Sequence, residues 1–564
     1  MRVGKRTSWV AGAAALSLIL AACGSDDDGD GAESPEATEA AGGAAAGAAV
    51  INGCDPENPF IPSNTNETCG GTPLDAMFTG LVEYEAEDAA PYNAIAEEFS
   101  SDDNQTWTIT LKDGYTFHDG TPVTAQSFVD AWNWASYGPN AQLNSYFFGP
   151  DGAAIQGFED LQGEDANGDE QITEDEAPVT EMSGLTAVDD LTLEVVLDRP
   201  FAIFPTVVGY SAFAPLPEVF FEDPDAFGQN PVGNGPFEFV SYSPQQEIVL
   251  QAYGDYTGPD QPSIEDVTFR IYQDTDAAYA DLLANNLDVL DDIPVSALAG
   301  EQFKSDLGDR QVVQPAGVIQ TITVPLQDAD GNPTVFDNPD LRVAISRAID
   351  RETITETIFE GTSTPADSYV SPVVDGYVEG ACGDNCTYDE AAAQAALEAA
   401  GGFDGTLTLS YNADGDHKAW TEAACNSINS TLGIECVAQP VVDFGTFREQ
   451  INARELDGMF RTGWQFDYPN IENFLSPLYA STGSANDGDY SSEEFDALIN
   501  EAASADTIAE ANALYQEAEQ VLVEDLPVFP LWFPETVGGW SENVSEANFN
   551  AFGRIDLPSL QLAQ

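Results

Sequence analysis

The stretch RTGWQFDYPN, residues 461–470, sets an arginine, an aspartate and three aromatics within eight positions, Arg461 to Tyr468. In an extended chain, successive side chains alternate between two faces. Arg461, Gly463, Gln465 and Asp467 then share one face, and Thr462, Trp464 and Phe466 the other. The first face is polar and suits the wall of a cleft, with Gly463 leaving room for an approaching backbone. The second is mainly apolar and anchors the strand. Pro469 ends regular pairing just beyond. The chain carries 98 acidic residues against 16 Lys plus Arg, so one more aspartate matters only by location. An exposed carboxylate contributes little, whereas a partly desolvated one pairs strongly with a cation. From the residues alone, Arg461 and Asp467 either pair with each other or with neighbours, or turn toward a ligand.

Working outward, 564 residues exceed a single core, and roughly two to four domains are expected. A hydrophobic content of 43% and an aromatic content of 10% fit a folded globular protein. The formal net charge of -82, with only four lysines, does not. Such a surface repels nucleic-acid phosphates and anionic lipid head groups, which excludes a nucleic-acid role. It fits solubility in a salty medium, where carboxylate repulsion is screened within ~8 Å or less.

Arg2, Lys5 and Arg6 precede an apolar run at residues 9–22, too short for a membrane span of ~20 residues. The run ends in Leu20-Ala21-Ala22-Cys23, which resembles a bacterial lipobox. Residues 1–22 therefore read as a signal peptide, and Cys23 as the lipidated first residue of the mature chain. A lipid there tethers a soluble protein without making it span the membrane. Residues 24–48 are acidic and of low complexity, so 23–48 form a lipidated N-terminus and disordered linker. Six cysteines remain: Cys54 and Cys69, Cys382 and Cys386, Cys425 and Cys436. In an exported chain they point to disulfides, with neighbours paired by short loop closure. A zinc site is the rival, although the spacings are poor and only His118 and His417 are there to assist.

In QTWTITL, Trp107, Ile109 and Leu111 alternate with threonines as a half-buried strand requires. FHDGTPVTA, residues 117–125, is turn chemistry with Thr124 placed to cap a helix. Phe128, Ala131, Trp132 and Ala135 follow at helical spacing. LTLEVVL, residues 191–197, is a further strand, and NPVGNGPF, residues 230–237, a Gly/Pro-rich crossing. Asn338-Pro339 opens a helix with Leu341, Ala344, Ile345, Ala348 and Ile349 on one face. Strands and helices mix without an internal repeat, so the class is α/β or α+β in several domains.

FTGLVEYE (78–85), LKDGYTFHDGTPVTAQSFVDAW (111–132), PVGNGPFEFVSY (231–242), NPDLRVAISRAIDRETI (338–354) and RTGWQFDYPN occur in one order. In that order and spacing they resemble the solute-binding proteins of peptide ABC transporters, the oligopeptide- and dipeptide-binding family 5. The likeness runs from about Thr72 to Val544. It implies an α/β, two-lobed periplasmic-binding-protein-like fold with a hinge and an extra domain (type II, cluster C). By that likeness lobe I comprises residues 49–90, 229–320 and 526–564, the extra domain 91–228, and lobe II 321–525. It implies a non-enzymatic, monomeric, lipid-anchored protein on the extracytoplasmic face of the membrane. Such a protein captures oligopeptides and delivers them to permease subunits. Asp467 matches the family's partner for the ligand α-ammonium. Arg461 matches the residue that meets the carboxylate of a short peptide or the backbone of a longer one. Trp464 and Tyr468 stand with them as ligand-contact candidates, each either a core residue or a pocket wall. Family members that bind dipeptides, nickel complexes, sugars or opines make another solute the alternative.

DANGDEQITEDE, residues 165–176, resembles a calcium-binding loop, with Asp165, Asn167, Asp169 and Glu176 as ligands. Glu170 stands where a glycine normally makes the sharp turn. No cofactor is expected beyond a structural Ca2+ at this loop. His118 reads as a structural turn residue and His417 as a loop residue. No G-x-S-x-G, H-E-x-x-H or P-loop appears, which leaves an extracellular hydrolase poorly supported.

Overall fold

The computed structural model describes residues 47–563 except 66, 151, 166–170, 414 and 416. Cys23, the signal segment and most of the linker lie outside the described residues, as do Asn167 and Asp169.

The chain enters with β1 (Ala48–Gly53), then makes a ribbon of β2 (Val82–Tyr84) and β3 (Pro91–Asn93). Next come β4 (Ala96–Ser100), β5 (Thr106–Leu111), β6 (Leu185–Asp189) and β7 (Thr192–Val196), a sheet of order β4-β5-β7-β6. The threonine alternation in β5 works as expected: Trp107, Ile109 and Leu111 are buried. They share a core with Phe128, Ala131, Trp132 and Ala135 of the helix Ala125–Ser136. Thr124 and Ser127 close that helix's N-terminus with a capping box. This sheet and helix fall within residues 91–228.

Further strands are β8 (Phe237–Ser243), β9 (Glu247–Ala252), β10 (Asp266–Ile271) and β11 (Val289–Leu290), then β12 (Gln311–Pro315) and β13 (Val318–Thr323). After them come β14 (Ser363–Pro365), β15 (Thr406–Asn412), β16 (Glu435–Val441), β17 (Met459–Gln465) and β18 (Val528–Trp540). With β1 they form one twelve-stranded sheet of order β16-β15-β17-β13-β18-β11-β1-β10-β9-β8, with β12 and β14 also paired to β18.

The 13 residues of β18 serve both lobes. Its first part pairs with β13, from Val528 opposite Thr323 to Trp532 opposite Gln320. Its second part pairs with β12, from Glu535 opposite Pro315 to Gly539 opposite Gln311. Between β12 and β13 lie only Ala316 and Gly317. Two strands therefore cross from lobe to lobe and make the hinge. Along β18 the partner thus changes from β13 to β12 between Trp532 and Glu535, across Ala316 and Gly317 of the other chain segment.

Local chemistry locks the pieces together. A Cβ on Gly233 would meet the Met77 carbonyl oxygen at 1.9 Å, so the Gly/Pro crossing packs backbone to backbone. His118 clamps that crossing: its Nδ1 accepts the Gly233 N–H at 3.1 Å, and its Nε2–H donates to the Gly235 carbonyl at 3.1 Å. Cys54 is bonded to Cys69, Cys382 to Cys386 and Cys425 to Cys436, the neighbour pairing, which removes all six from zinc ligation. Asn338 caps the helix Pro339–Arg347 by accepting the Asp340 N–H at 3.1 Å. That helix stops at Arg347, before Ala348 and Ile349, because Asp350 caps a second helix, Arg351–Ile358. Arg351 is 2% exposed and donates to the carbonyls of Pro530 (2.7 Å) and Ser346 (2.9 Å), tying the second helix to β18. Among the described residues, no helix is long and apolar enough to cross a membrane.

Candidate functional site

The segment 461–470 ends a strand with one open edge. Along its length β17 pairs with β13, from Thr323 opposite Phe460 to Val318 opposite Gln465. On the other side β15 pairs only with Met459 and Phe460. From Arg461 to Gln465 that edge meets no strand among the described residues. Unpaired backbone N–H and C=O groups on an open edge are a template for an added strand.

Asp467 lies just past the end of β17 and is half-buried. Asn473, 2% exposed, orients it. The Asn473 Oδ1 accepts the Asp467 N–H at 2.9 Å, and its Nδ2 donates to Asp467 Oδ2 at 3.1 Å. The same Oδ1 takes the Trp464 Nε1–H at 2.9 Å, so one asparagine holds both predicted site residues. Burial pushes the Asp467 carboxyl up to about 7; the Asn473 hydrogen bond opposes the rise and the Glu472 charge adds to it. No cation pairs with Asp467 among the described residues.

The facing wall comes from lobe I and the extra domain. The Phe466 ring lies 4.3 Å from that of Phe552, and Gln465 Nε2 donates to the Phe552 carbonyl at 3.1 Å. Gly317 makes room for this contact, since a Cβ there would sit 1.7 Å from the Phe466 ring. Farther out, Asn104 Nδ2 donates to the Ala505 carbonyl at 2.8 Å, so the lobes touch. Burial first, and the charge of Asp467 among other groups, push the Tyr84 and Tyr210 hydroxyls upward. Both tyrosines are thus within electrostatic reach of Asp467.

Arg461 does not pair with Asp467. Its Nε donates to Asn412 Oδ1 at 2.8 Å, and its guanidinium lies 5.3 Å from the Phe444 ring and 5.7 Å from Phe447. Arg461 and Trp464 were expected on opposite faces, yet both line one cavity of about 320 Å³. The same cavity is lined by Ile319, Thr321 and Thr323 of β13 and by Phe444 and Phe447. Tyr468 is not a cleft wall. It is 2% exposed, with its hydroxyl on Glu472 Oε2 at 2.5 Å. The turn at Pro469 swings it into the core.

Sequence reasoning missed Asn473, Tyr84, Tyr210 and Phe552. Tyr84 stands in FTGLVEYE, but nothing local marks it as facing Asp467. At the acidic loop, Glu176 accepts the N–H (3.0 Å) and hydroxyl (2.7 Å) of Thr173. Among the described residues no group of three or more His, Cys, Asp or Glu is placed to hold a metal. His417 Nδ1 accepts the Trp420 Nε1–H at 3.1 Å.

A match to the bacterial extracellular solute-binding proteins, family 5 (middle region) spans residues 90–486, which include β17 and Asp467. The chain belongs to this family. It is 25% identical over 574 residues to the oligopeptide-binding protein OppA of Bacillus subtilis (strain 168), covering 98% of each chain. It is 27% identical over 465 residues to the periplasmic murein peptide-binding protein MppA of Escherichia coli (strain K12), covering 81% of this chain and 82% of that one. The solved Escherichia coli murein tripeptide-binding protein MppA superposes with a TM-score of 0.72 at 23% identity, over 92% of this chain and 99% of that one. Haemophilus influenzae OppA in complex with RPPGFSPFR gives a TM-score of 0.71 at 21% identity, over 92% and 99%. These structures establish the two-lobed α/β binding-protein fold for this family 5 member. The relatives named are binding proteins rather than enzymes.

Proposed function

We propose that this protein is the substrate-binding subunit of an ABC importer, anchored by a lipid on Cys23, that captures oligopeptides in the interlobe cleft and hands them to a permease. One observation carries the reading. A half-buried carboxylate, held in place by Asn473 and without a cation of its own, stands at the end of an open strand edge. Leaving such a carboxylate unpaired is costly, and a peptide α-ammonium supplies the missing charge. The edge from Arg461 to Gln465 then pairs with the ligand backbone, which is blind to side chains and so accepts many peptides.

Six extended steps from Arg461 to Asp467 span roughly 20 Å, while a tripeptide reaches roughly 10 Å. Ligands of about four to six residues engage both residues at once. Shorter ones are held by the amino end and the edge. Closure about the two crossing strands buries the ligand, a hinge motion that presents the closed surface to the permease.

The test is a thermal-shift titration at high salt with two- to six-residue peptides and the same peptides N-acetylated. Binding to the folded state raises the melting temperature. A rise with free peptides that acetylation abolishes supports the reading. No rise with any peptide overturns it and leaves the fold intact.

A further inference from the structure

Behind Tyr84 and Phe552 the lobe I wall opens into two adjoining cavities of about 130 and 180 Å³. Each far exceeds the ~30 Å³ share of one water. Their lining is of two kinds. Tyr84, Tyr92, Tyr256 and Phe552 contribute aromatic surface, while Asp75, Glu83 and Asp260 contribute carboxyls. One cation is present, Arg554, and it is committed to Asp75 by a short ion pair. Asp260 accepts the Tyr92 hydroxyl at 2.5 Å. Glu83 accepts the Gly80 N–H at 2.7 Å and has no ion pair among the described residues. Burial holds its carboxyl up at about 8; the Gly80 N–H opposes this, and the charges of Asp75 and Asp260 add to it. The lining thus holds more carboxyls than its one guanidinium pairs, and an entering cation favours the ionised form of Glu83. The lining also holds one unsatisfied donor. The Arg554 Nε–H is out of solvent contact and has no partner, a donor left over for a ligand backbone carbonyl.

We propose that these cavities form a side-chain pocket selecting lysine or arginine within the first two residues of the bound peptide. The assignment rests on the peptide reading above. Phe552 ties the two sites together, because it lines the first cavity and its ring lies 4.3 Å from that of Phe466, the residue before Asp467. A cationic side chain lays its stem and charge along the aromatic faces and ends against Glu83. A glutamate side chain meets the carboxyls of Glu67, Asp75, Glu83, Glu85, Asp260 and Asp556 and a guanidinium already engaged.

The experiment is calorimetric titration of the mature chain, at fixed salt and pH 7.5, with trialanine and nine derivatives. Each derivative carries lysine, norleucine or glutamate at the first, second or third position. A charge-assisted contact of this kind predicts lysine at least about tenfold tighter than norleucine at the first or second position, and glutamate weaker than both. Glu83→Gln is expected to shrink the lysine-to-norleucine ratio to within about threefold. Should that variant lose its cooperative melt, the wild-type series alone decides. Equal affinity for the three residues at every position, or a lysine preference confined to the third, overturns the pocket and leaves peptide binding standing. No binding by any peptide overturns both.

Discussion

Replacing Asp467 with asparagine removes the charge at the end of β17 and keeps the shape. The Asn473 Nδ2 still finds an oxygen to donate to. What is lost is the partner of the ligand ammonium. Removing one member of a buried, hydrogen-bonded charge pair costs about 2–5 kcal/mol; Asp467 keeps some solvent contact, so the lower end, about 2–3 kcal/mol, applies. Affinity should fall ~30–150-fold.

The pH profile gives a sharper test. With the empty-site carboxyl at about 7, wild-type affinity falls about tenfold per pH unit below neutrality, ~100-fold by pH 5, because the site must first release a proton. Above pH ~8 the peptide amine loses its own charge and affinity falls again. Asp467→Asn should lack the acid limb. Stability moves the other way. The folded pKa lies above the ordinary 3.8, so the contribution of Asp467 is fully present below pH ~4 and lost as pH rises through 7. The gap amounts to about 4 kcal/mol, or about 2 after allowing for solvent contact. At pH 8 the empty asparagine variant should therefore melt higher than wild type, yet gain less from ligand. Calorimetric titration from pH 5 to 9 and melting of both proteins check this. Unchanged affinity with the acid limb retained would refute the assignment of Asp467.

Arg461→Gln should weaken four- to six-residue peptides with a free carboxylate by about tenfold, and their C-terminal amides far less, in the same titration. Arg351→Leu leaves the carbonyls of Pro530 and Ser346 unanswered, and should cost ~3 kcal/mol or more in denaturant unfolding. Burial holds His118 below its ordinary 6.5. The stability it contributes is present above pH 6.5 and lost as pH falls below it, so wild type should lose more stability than His118→Gln between pH 7 and 5. Melting of the two proteins across that range checks the sign. Phe552→Ala removes the ring that spans from Phe466 toward Tyr84, and should loosen closure, lowering the melting temperature and raising peptide off-rates in stopped flow.

Much of this protein is legible from short-range chemistry. The alternation of Trp107, Ile109 and Leu111 specifies a strand, Thr124 and Asn338 announce their helices, and loops of 15, 4 and 11 residues pair the cysteines as neighbours. Each rests on dihedral preference, periodicity or loop closure, which act within a few residues. The polar pair Arg461 and Asp467 on one extended segment is of the same kind. Other features depend on what lies across space. Asp467 becomes a site because Asn473 turns it and because packing buries part of it, with Tyr84 and Tyr210, from distant stretches, within reach of its charge. Tyr468, one position on, is drawn into the core by Glu472. Glu83 is one of 98 acidic residues by count, and only packing beside Asp75 and Asp260 sets it apart. Strand and helix are decided locally. Desolvation, which decides which carboxylate matters, belongs to surfaces that meet only when the lobes fold and close.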